Sequence, residues 1–276
     1  MKALKNLILG FLLAYSLTGC RDVIVLDLSD VPPRLVIEGV ITDEPGPYYV
    51  KLSHSVKYYD DNTFPSLSNA VVTISDDAGN MEVLSEESPG IYATSDLQGV
   101  RGRTYRLDVE VDGEKYSAES TLPEQQIPLD SIVVEFKEES FFEDEGYYFT
   151  IYFNDPENVK NYYRLLVSVN GENFIFNTDD EDESNWEEDD NLWLADDKFT
   201  DGNLQEIELP HNLNLGDSLD LKMLQVDRSS YDYFRTLKDV LDGQGVAPAN
   251  PLSNFEDAAL GYFGAFSVTK NSVVVK

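Results

Sequence analysis

The sequence predicts a mainly β protein made of two consecutive sandwiches, and three observations lead to that prediction. Apolar residues make up 42% of the chain and aromatic residues 12%, which favours packed β-structure over disorder. Short alternating segments bounded by Gly, Pro, Asn and Asp recur along the chain, and only one segment has a helical period. The length of 276 residues suits one large or two ordinary domains.

The N-terminal region predicts export and attachment to lipid. An apolar run follows two lysines within residues 1–19, which is typical of a secretory signal peptide and too short for a permanent membrane span. Leu17-Thr18-Gly19-Cys20 resembles the lipobox of bacterial lipoproteins. That resemblance implies cleavage before Cys20 and its acylation, with chains such as palmitate that anchor the protein in a membrane. The alternative is an ordinary signal peptide followed by a chance cysteine.

Residues 20–33 are interpreted as a lipidated tether that ends at Pro32-Pro33. The apolar run of residues 23–26 leaves a first edge strand open as an alternative. Cys20 is the only cysteine, so its acylation leaves the folded part without a disulfide. A chain of this length can bury cores large enough to fold without one.

Charge restricts the range of partners. The chain has 20 Lys and Arg residues against 52 Asp and Glu residues, a formal net charge of −32. Such a surface repels nucleic acid and anionic headgroups at close range, so no nucleic-acid partner is expected. Cations and basic partners are favoured instead.

Residues 34–125 predict an immunoglobulin- or transthyretin-like sandwich. About seven short strands at regular spacing, without a helical period, are typical of such folds. Asp112-Gly113 is a two-residue hairpin signal between the last two strands, and the segment ends at Leu122-Pro123-Glu124. The expected strands are residues 35–41, 48–52, 70–75, 81–84, 91–93, 105–111 and 115–121.

Residues 126–276 predict a second, sandwich-like β-rich domain with one helix. Asn170-Gly171 is the strongest signal for a type I′ hairpin in the chain. The last two strands place the C-terminus in a sheet. The expected strands are residues 131–137, 147–153, 162–169, 172–177, 205–209, 218–226, 262–269 and 272–276.

The helix is predicted from an apolar stripe with a cap at each end. Ser229 or Ser230 is the expected N-cap, and Gly243 lies beyond the C-terminal end. The helix is interpreted as a cover for an open sheet edge or a sandwich end, with a docking surface as the alternative. The stripe consists of Tyr231, Phe234, Leu237 and Leu241.

Six short motifs follow one another behind the lipobox. The first three are residues 35–42, residues 50–53 and residues 70–74. The other three are Asn154-Asp155-Pro156 followed by Tyr162-Tyr163, Asp197-Lys198-Phe199 followed by Asp201-Gly202, and residues 261–266. In this order they resemble a family of Bacteroidetes lipoproteins, the domain of unknown function 4249, over most of the mature chain. Genes of that family commonly neighbour TonB-dependent outer-membrane receptors. The resemblance implies an outer-membrane lipoprotein at the cell surface that assists such a receptor, and it implies no catalytic residues.

The sequence lacks the common enzyme motifs. It contains no Gly-x-Ser-x-Gly elbow, no His-Glu-x-x-His helix and no Gly-rich phosphate loop. His54 and His211 are the only histidines, and neither lies in a cluster of metal-ligating residues. Paired carboxylates suit glycoside chemistry, but acidic residues are so numerous that no pair is informative. We therefore expect a non-enzymatic protein, and the family resemblance implies that it works with a TonB-dependent receptor in nutrient uptake.

Two acidic clusters are candidate cation sites. Residues 179–190 crowd carboxylates, the ligands that Ca²⁺ prefers, but they lack the spacing and glycine of an EF-hand. A solvated, self-repelling loop is the alternative there. Around Lys198-Phe199, Asp196-Asp197, Asp201 and Gly202 form a second cluster, which a turn between strands also explains. The candidate ligands are Asp179, Asp180, Asp182, Asp189, Asp190, Asp197 and Asp201; no other cofactor is expected.

Aromatic residues in apparent loops suggest further binding functions. Trp186, among carboxylates, is interpreted as exposed, and Trp193, between Leu192 and Leu194, as core. Exposed aromatics stack on sugars or anchor protein partners, whereas packing at the sandwich ends is the simpler interpretation. Two alternative functions therefore stand beside the accessory role. One is a surface structural or adhesion lipoprotein, stabilised by calcium, and the other is a carbohydrate-binding lipoprotein.

Overall fold

The computed structural model describes residues 32–57, 63–140, 145–173, 192–241 and 250–276. The fold is mainly β, with two sandwiches and one helix in that part of the chain, which confirms the predicted fold class. The signal peptide, Cys20 and almost all of the predicted tether lie outside the described residues. Two further aromatic pairs of apparent loops, Tyr58-Tyr59 and Phe141-Phe142, also lie outside them.

The long strand β16 (Leu260–Val274) joins the two sandwiches. Its first half pairs in parallel with β1 (Leu35–Thr42), and its second half pairs antiparallel with β15 (Ser218–Val226). Gly261 makes the first contact feasible, because a Cβ at that position would lie 2.1 Å from the carbonyl oxygen of Ile37. The prediction of two closing strands was wrong, because the polar residues 269–271 continue the ladder along β15.

The N-terminal sandwich packs one end of the central sheet against a four-stranded sheet. The central sheet contributes β16, β1, β2, β6 and β5, and the opposing sheet has the order β4-β3-β7-β8. Alternate residues of β1 and β7 face inward, as the sequence pattern predicts. The remaining bounds are β2 Tyr49–His54, β3 Val71–Asp76, β4 Met81–Val83, β5 Ser85–Ser88, β6 Ile91–Ala93, β7 Thr104–Val111 and β8 Glu114–Thr121.

The C-terminal sandwich packs the other end of the central sheet against three strands. The central sheet contributes β15, β11, β12 and β13, and the opposing sheet has the order β14-β10-β9. Phe149, Leu165 and Leu221 are buried in the core between them. The bounds are β9 Ser131–Lys137, β10 Gly146–Asn154, β11 Tyr162–Val169, β12 Glu172–Asn173, β13 Trp193–Asp196 and β14 Leu204–Leu213.

Helix α1 (Arg228–Leu241) covers the outer face of the central sheet. Its Phe234 packs with Phe266 and Val268 of β16, so it covers a sheet face and not the edge or sandwich end that we had expected. The N-cap prediction was also wrong. A carboxylate oxygen of Asp227 accepts the N–H of Ser230 at 2.9 Å, which makes Asp227 the cap and places Ser230 in the first turn.

Both predicted two-residue hairpins are confirmed. Asp112 and Gly113 have positive φ, as do Asn170 and Gly171, and a type I′ turn requires this at both central residues. Strands β5 and β13 were missed, because one is entirely exposed and the other pairs only with the edge of β11.

The predicted boundary at residues 125 and 126 lies in the connection between β8 and β9. Residues 33–276 form one compact unit, and β16 belongs to both sandwiches. The two segments therefore share a sheet, and their division into domains stays a prediction.

Candidate functional site

The structure gathers part of the predicted cation-binding set at one end of the C-terminal sandwich. Asp197 and Asp201 lie there, together with Asp155, and one carboxylate oxygen of each lies within 4.8 Å of the others. We call these three residues the aspartate cluster. The remaining candidates, Asp179, Asp180, Asp182, Asp189 and Asp190, lie outside the described residues, as does Trp186.

Strand pairing brings the three aspartates together. Asp155 directly follows β10, whose last residue pairs with the first residue of β14. Asp197 directly follows β13, whose last residue pairs with the first residue of β11. Asp201 lies in the turn that leads from β13 into β14. All three side chains therefore come from strand ends at the same end of the sandwich.

Asp155 is fixed by two hydrogen bonds although only 5% of the residue is exposed. The hydroxyl of Tyr163 donates to its Oδ1, and the backbone N–H of Gly202 donates to its Oδ2 at 3.1 Å. Burial, followed by the hydrogen bond to Asp155 and the charges of Asp155 and Asp197, strongly raises the pKa of Tyr163. The phenol therefore keeps its proton and acts as a donor at neutral pH.

Gly202 is required for this contact. Its φ is +72°, in the left-handed region, and a Cβ at this position would lie 2.8 Å from the side chain of Glu157. A larger residue would have to displace Glu157 or change the turn. The glycine of the Asp201-Gly202 motif thus lets the backbone N–H reach the carboxylate of Asp155.

Asp197 is also buried, with 6% of the residue exposed. Its Oδ2 accepts the N–H of Asn161 at 2.6 Å. Burial raises the pKa of Asp197; the hydrogen bond from Asn161 opposes this increase, and the charges of Asp155 and Asp201 add to it. A carboxyl in this setting holds its negative charge less readily than one in water.

Asp201 is exposed and accepts the N–H of Asn158 at 2.9 Å. Within the described ranges, no lysine or arginine forms an ion pair with any member of the aspartate cluster. Lys198 is the nearest basic residue in sequence, and its Nζ lies over the ring of Phe199, 5.1 Å from the centroid. The carboxylates therefore repel one another without a counter-charge from the residues that the structure describes.

Two buried oxygens near the cluster have no hydrogen-bond partner within the described ranges. They are Oγ1 of Thr200, in the same turn, and Oε1 of Gln225, whose amide nitrogen donates to Oδ1 of Asn161 at 2.8 Å. All the candidate donors are oxygen atoms, which suit Ca²⁺ or Mg²⁺ better than zinc or copper. Ca²⁺ takes six to eight oxygen ligands, so water would complete the set around three carboxylates.

Asp155 was missed as a ligand by the sequence analysis, although its motif was noted. It precedes Asp197 by more than forty positions, and only the pairing of β10 with β14 brings the two together. The signal that identifies it is an acidic residue at a strand end, which Asn154-Asp155-Pro156 shares with Asp196-Asp197. Trp193 is half-buried and packs against the C-terminal core, in agreement with its interpretation as a core residue.

Three exposed apolar side chains lie in the segments that carry the aspartate cluster. Phe199 is 86% exposed at the tip of the turn, Leu204 is 56% exposed at the start of β14, and Val159 is 51% exposed after Asp155. We call these three residues the apolar rim. Single exposed apolar residues are common, whereas several at one loop end are typical of a contact surface.

Comparison with known proteins assigns a family and no activity. One family profile, described as "Domain of unknown function (DUF4249)", matches residues 21–272, almost the whole chain. Curated proteins give no match. In the portion that the structure describes, no helix is both long enough and apolar enough to cross a membrane.

Proposed function

Because the chain belongs to the DUF4249 family, whose description attaches no activity, we propose its function from its own residues. The protein is a non-enzymatic lipoprotein of the outer membrane, held at the cell surface by acyl chains on Cys20. It acts as the accessory binding partner of a TonB-dependent receptor in nutrient uptake. The lipobox sequence ending at Cys20 supports the anchor, and the resemblance of the ordered motifs supports the receptor.

The apolar rim is the observation that carries the partner proposal. Phe199 exposes an aromatic ring at the tip of a turn, and aromatic residues supply much of the binding energy at protein interfaces. Hydrogen bonds hold the turn behind it, since Asp155 accepts the N–H of Gly202. A rigid turn with an exposed aromatic ring loses little conformational entropy when a partner binds. The receptor would therefore contact this end of the C-terminal sandwich.

Crosslinking on intact cells tests this proposal. The full chain carries an epitope tag after Lys276, and crosslinked partners are identified by mass spectrometry while external protease is applied in parallel. We expect loss of the tag and crosslinks to a TonB-dependent receptor from residues near Phe199. Phe199→Ser should reduce receptor recovery by about tenfold, the effect of one interface residue worth about 1.4 kcal/mol.

Phe64→Ser is the matched control, because Phe64 is also an exposed phenylalanine but lies in the N-terminal half. It should leave receptor recovery unchanged. A protected tag without receptor crosslinks would contradict the accessory role and place the protein on the periplasmic side.

The aspartate cluster favours a second candidate, a calcium-stabilised surface structural or adhesion lipoprotein. Three carboxylates within 4.8 Å of one another, without a basic partner among the described residues, suit a divalent cation. A bound Ca²⁺ would join the end of β10 to the turn before β14. The test is thermal unfolding of the full chain with Ca²⁺, with Mg²⁺ and with a chelator. A calcium-specific rise in Tm without receptor crosslinks favours this candidate, and no rise excludes it.

A further inference from the structure

A basic groove lies on the outer face of the central sheet, where β11, β15 and β16 run side by side. Its volume is about 670 Å³. The strand register places Leu166, Lys222 and Lys270 next to one another in one row. The following row consists of Ser168, Asp220 and Ser272. We call these six residues the basic groove.

The two lysines of the basic groove stand directly opposite each other on neighbouring strands. Like charges in this arrangement destabilise a sheet. Lys270 forms an ion pair with Glu44 at 2.5 Å, whereas Lys222 forms neither an ion pair nor a hydrogen bond with any residue that the structure describes. Asp220 is the only carboxylate of the two rows. Lys222 is therefore left without an ion pair in the described part of a protein whose net charge is −32, with Asp220 in the following row as the carboxylate on the same face of β15.

A third cation lies in the adjacent row, towards helix α1. Arg164 lies two residues before Leu166 on the same face of β11, and its guanidinium carbon lies 4.2 Å from the ring centroid of Phe234. Its Nε is buried and has no hydrogen-bond partner among the described residues. Buried N–H groups almost always have acceptors, so one without a partner calls for an explanation. Arg164 thus lies next to the basic groove, against Phe234 of helix α1, and does not line it, so Lys222 is the lysine of the groove that has no ion pair in the described part of the chain.

We propose that the basic groove binds a small carboxylate-bearing glycan. Lysine and arginine donate strong, charge-assisted hydrogen bonds to carboxylates, and the hydroxyls of Ser168 and Ser272 suit a ligand rich in hydroxyl groups. The volume lies within the range of small-ligand sites. Val167 and Leu221 also line the groove, but both are buried in the core of the C-terminal sandwich, which leaves Leu166 as the apolar side chain of the two rows that a ligand would meet.

A carboxylate-bearing glycan would be the nutrient of this protein, and that role rests on the proposed accessory function. The three residues of the apolar rim do not line the groove, so an oligosaccharide bound there would use other side chains. Ligand binding and receptor contact therefore use different residues. Their tests can fail separately.

Isothermal titration calorimetry on the full chain in detergent tests the proposal. The probe is trigalacturonate, and the neutral trisaccharide of galactose with the same linkage is the matched ligand. We expect binding of the uronate alone, and weaker binding at 0.5 M salt because added ions screen the lysines. Lys222→Gln should weaken uronate binding by about tenfold, the loss of one charge-assisted hydrogen bond.

Lys115→Gln is the control variant, because Lys115 is an exposed lysine of the N-terminal sandwich, paired with Glu110. It should bind trigalacturonate as the unmodified protein does. Equal affinity for the neutral sugar, or no effect of Lys222→Gln in a variant with an unchanged circular dichroism spectrum, would overturn the proposal. Equally tight binding of a poly-glutamate peptide would also overturn it, because the groove would then select acidity and not a glycan. Absence of uronate binding with receptor crosslinks intact would remove the groove proposal alone.

Discussion

Acidic side chains have different partners in the two sandwiches. In the N-terminal sandwich, Asp76 forms a 2.5 Å ion pair with Arg103, and Glu82 accepts backbone N–H groups from residues 95–97. In the C-terminal sandwich, Asp155 and Asp197 are buried beside each other without a basic partner in the described part of the chain. An ion pair and hydrogen bonds compensate the charge in the first arrangement, whereas no basic residue in the described part of the chain does so in the second.

The pKa directions follow the same division. Burial alone would raise the pKa of Asp76 and of Glu82, but hydrogen bonds outweigh burial and lower both values. Asn80 and Arg103 supply these bonds for Asp76, and backbone groups supply them for Glu82. At Asp197 burial prevails, helped by neighbouring carboxylates, and the pKa is raised. The lowered pKa values of Asp76 and Glu82 thus reflect hydrogen bonds to the carboxylates, and the raised pKa of Asp197 reflects burial and neighbouring negative charge.

Removing a satisfied carboxylate should have the largest effect. Asp76→Ala leaves Arg103 unpaired and removes the acceptor of the Ala78 and Asn80 N–H groups. We expect the free energy of unfolding to fall by about 3 kcal/mol, the lower end for a broken buried pair because Arg103 is partly exposed. Urea unfolding measures the change. Asp77→Ala, at the exposed neighbouring position, should stay within about 0.5 kcal/mol.

Removing a member of the aspartate cluster should remove the stabilisation of the protein by calcium. Saturating Ca²⁺ at a hundred times its Kd should stabilise the unmodified protein by about 2.7 kcal/mol. Asp201→Asn should abolish this gain while leaving the calcium-free protein unchanged or slightly more stable, because one repulsive charge is gone. Thermal unfolding with and without Ca²⁺ provides the measurement. Asp196→Asn, which changes the adjacent strand end outside the cluster, should keep the calcium response.

In calcium-free solution, acid should change the stability contributions of Glu82 in one sandwich and Asp197 in the other with opposite signs. Glu82 has a lowered pKa, so its contribution is present above its ordinary value of 4.5 and is lost as the pH falls through the folded value. Asp197 has a raised pKa, so its contribution is present below its ordinary value of 3.8 and is lost as the pH rises through the folded value.

Two amide variants test the opposite pH dependence of Glu82 and Asp197. Glu82→Gln should be less stable than the unmodified protein at pH 7, and the difference should shrink at acidic pH. Asp197→Asn should be more stable at pH 7, with the difference disappearing near pH 3.8. Equal signs for the two variants in Tm against pH would contradict the comparison.

The smallest effect concerns the basic groove. Lys222→Gln removes one of two opposed lysines, so the free energy of unfolding should rise by about 0.5 kcal/mol while glycan binding weakens. Lys222→Arg keeps the charge and should leave stability unchanged. Urea unfolding of both variants at low salt separates the two, and a stability loss in Lys222→Gln would show that Lys222 supports the fold itself.

Local patterns predicted the strands and turns, whereas contacts between distant segments could not be predicted. Asn170-Gly171 specifies its turn by its own φ preferences, so sequence alone suffices there. Asp155 meets Asp197 only through strand pairing, and Lys222 meets Lys270 only through the register of β15 and β16. The helix cap was misplaced because serine and aspartate are equally good N-caps, and Asp227 lies one residue before the helix.

The shared strand β16 has a consequence for the order in which the chain folds. Neither sandwich has its full central sheet until residues 260–274 have been synthesised. Closing β1 against β16 spans more than two hundred residues, and loops of this length form slowly. Both sandwiches therefore remain incomplete until β16 has been added, whichever of the earlier strands have already paired.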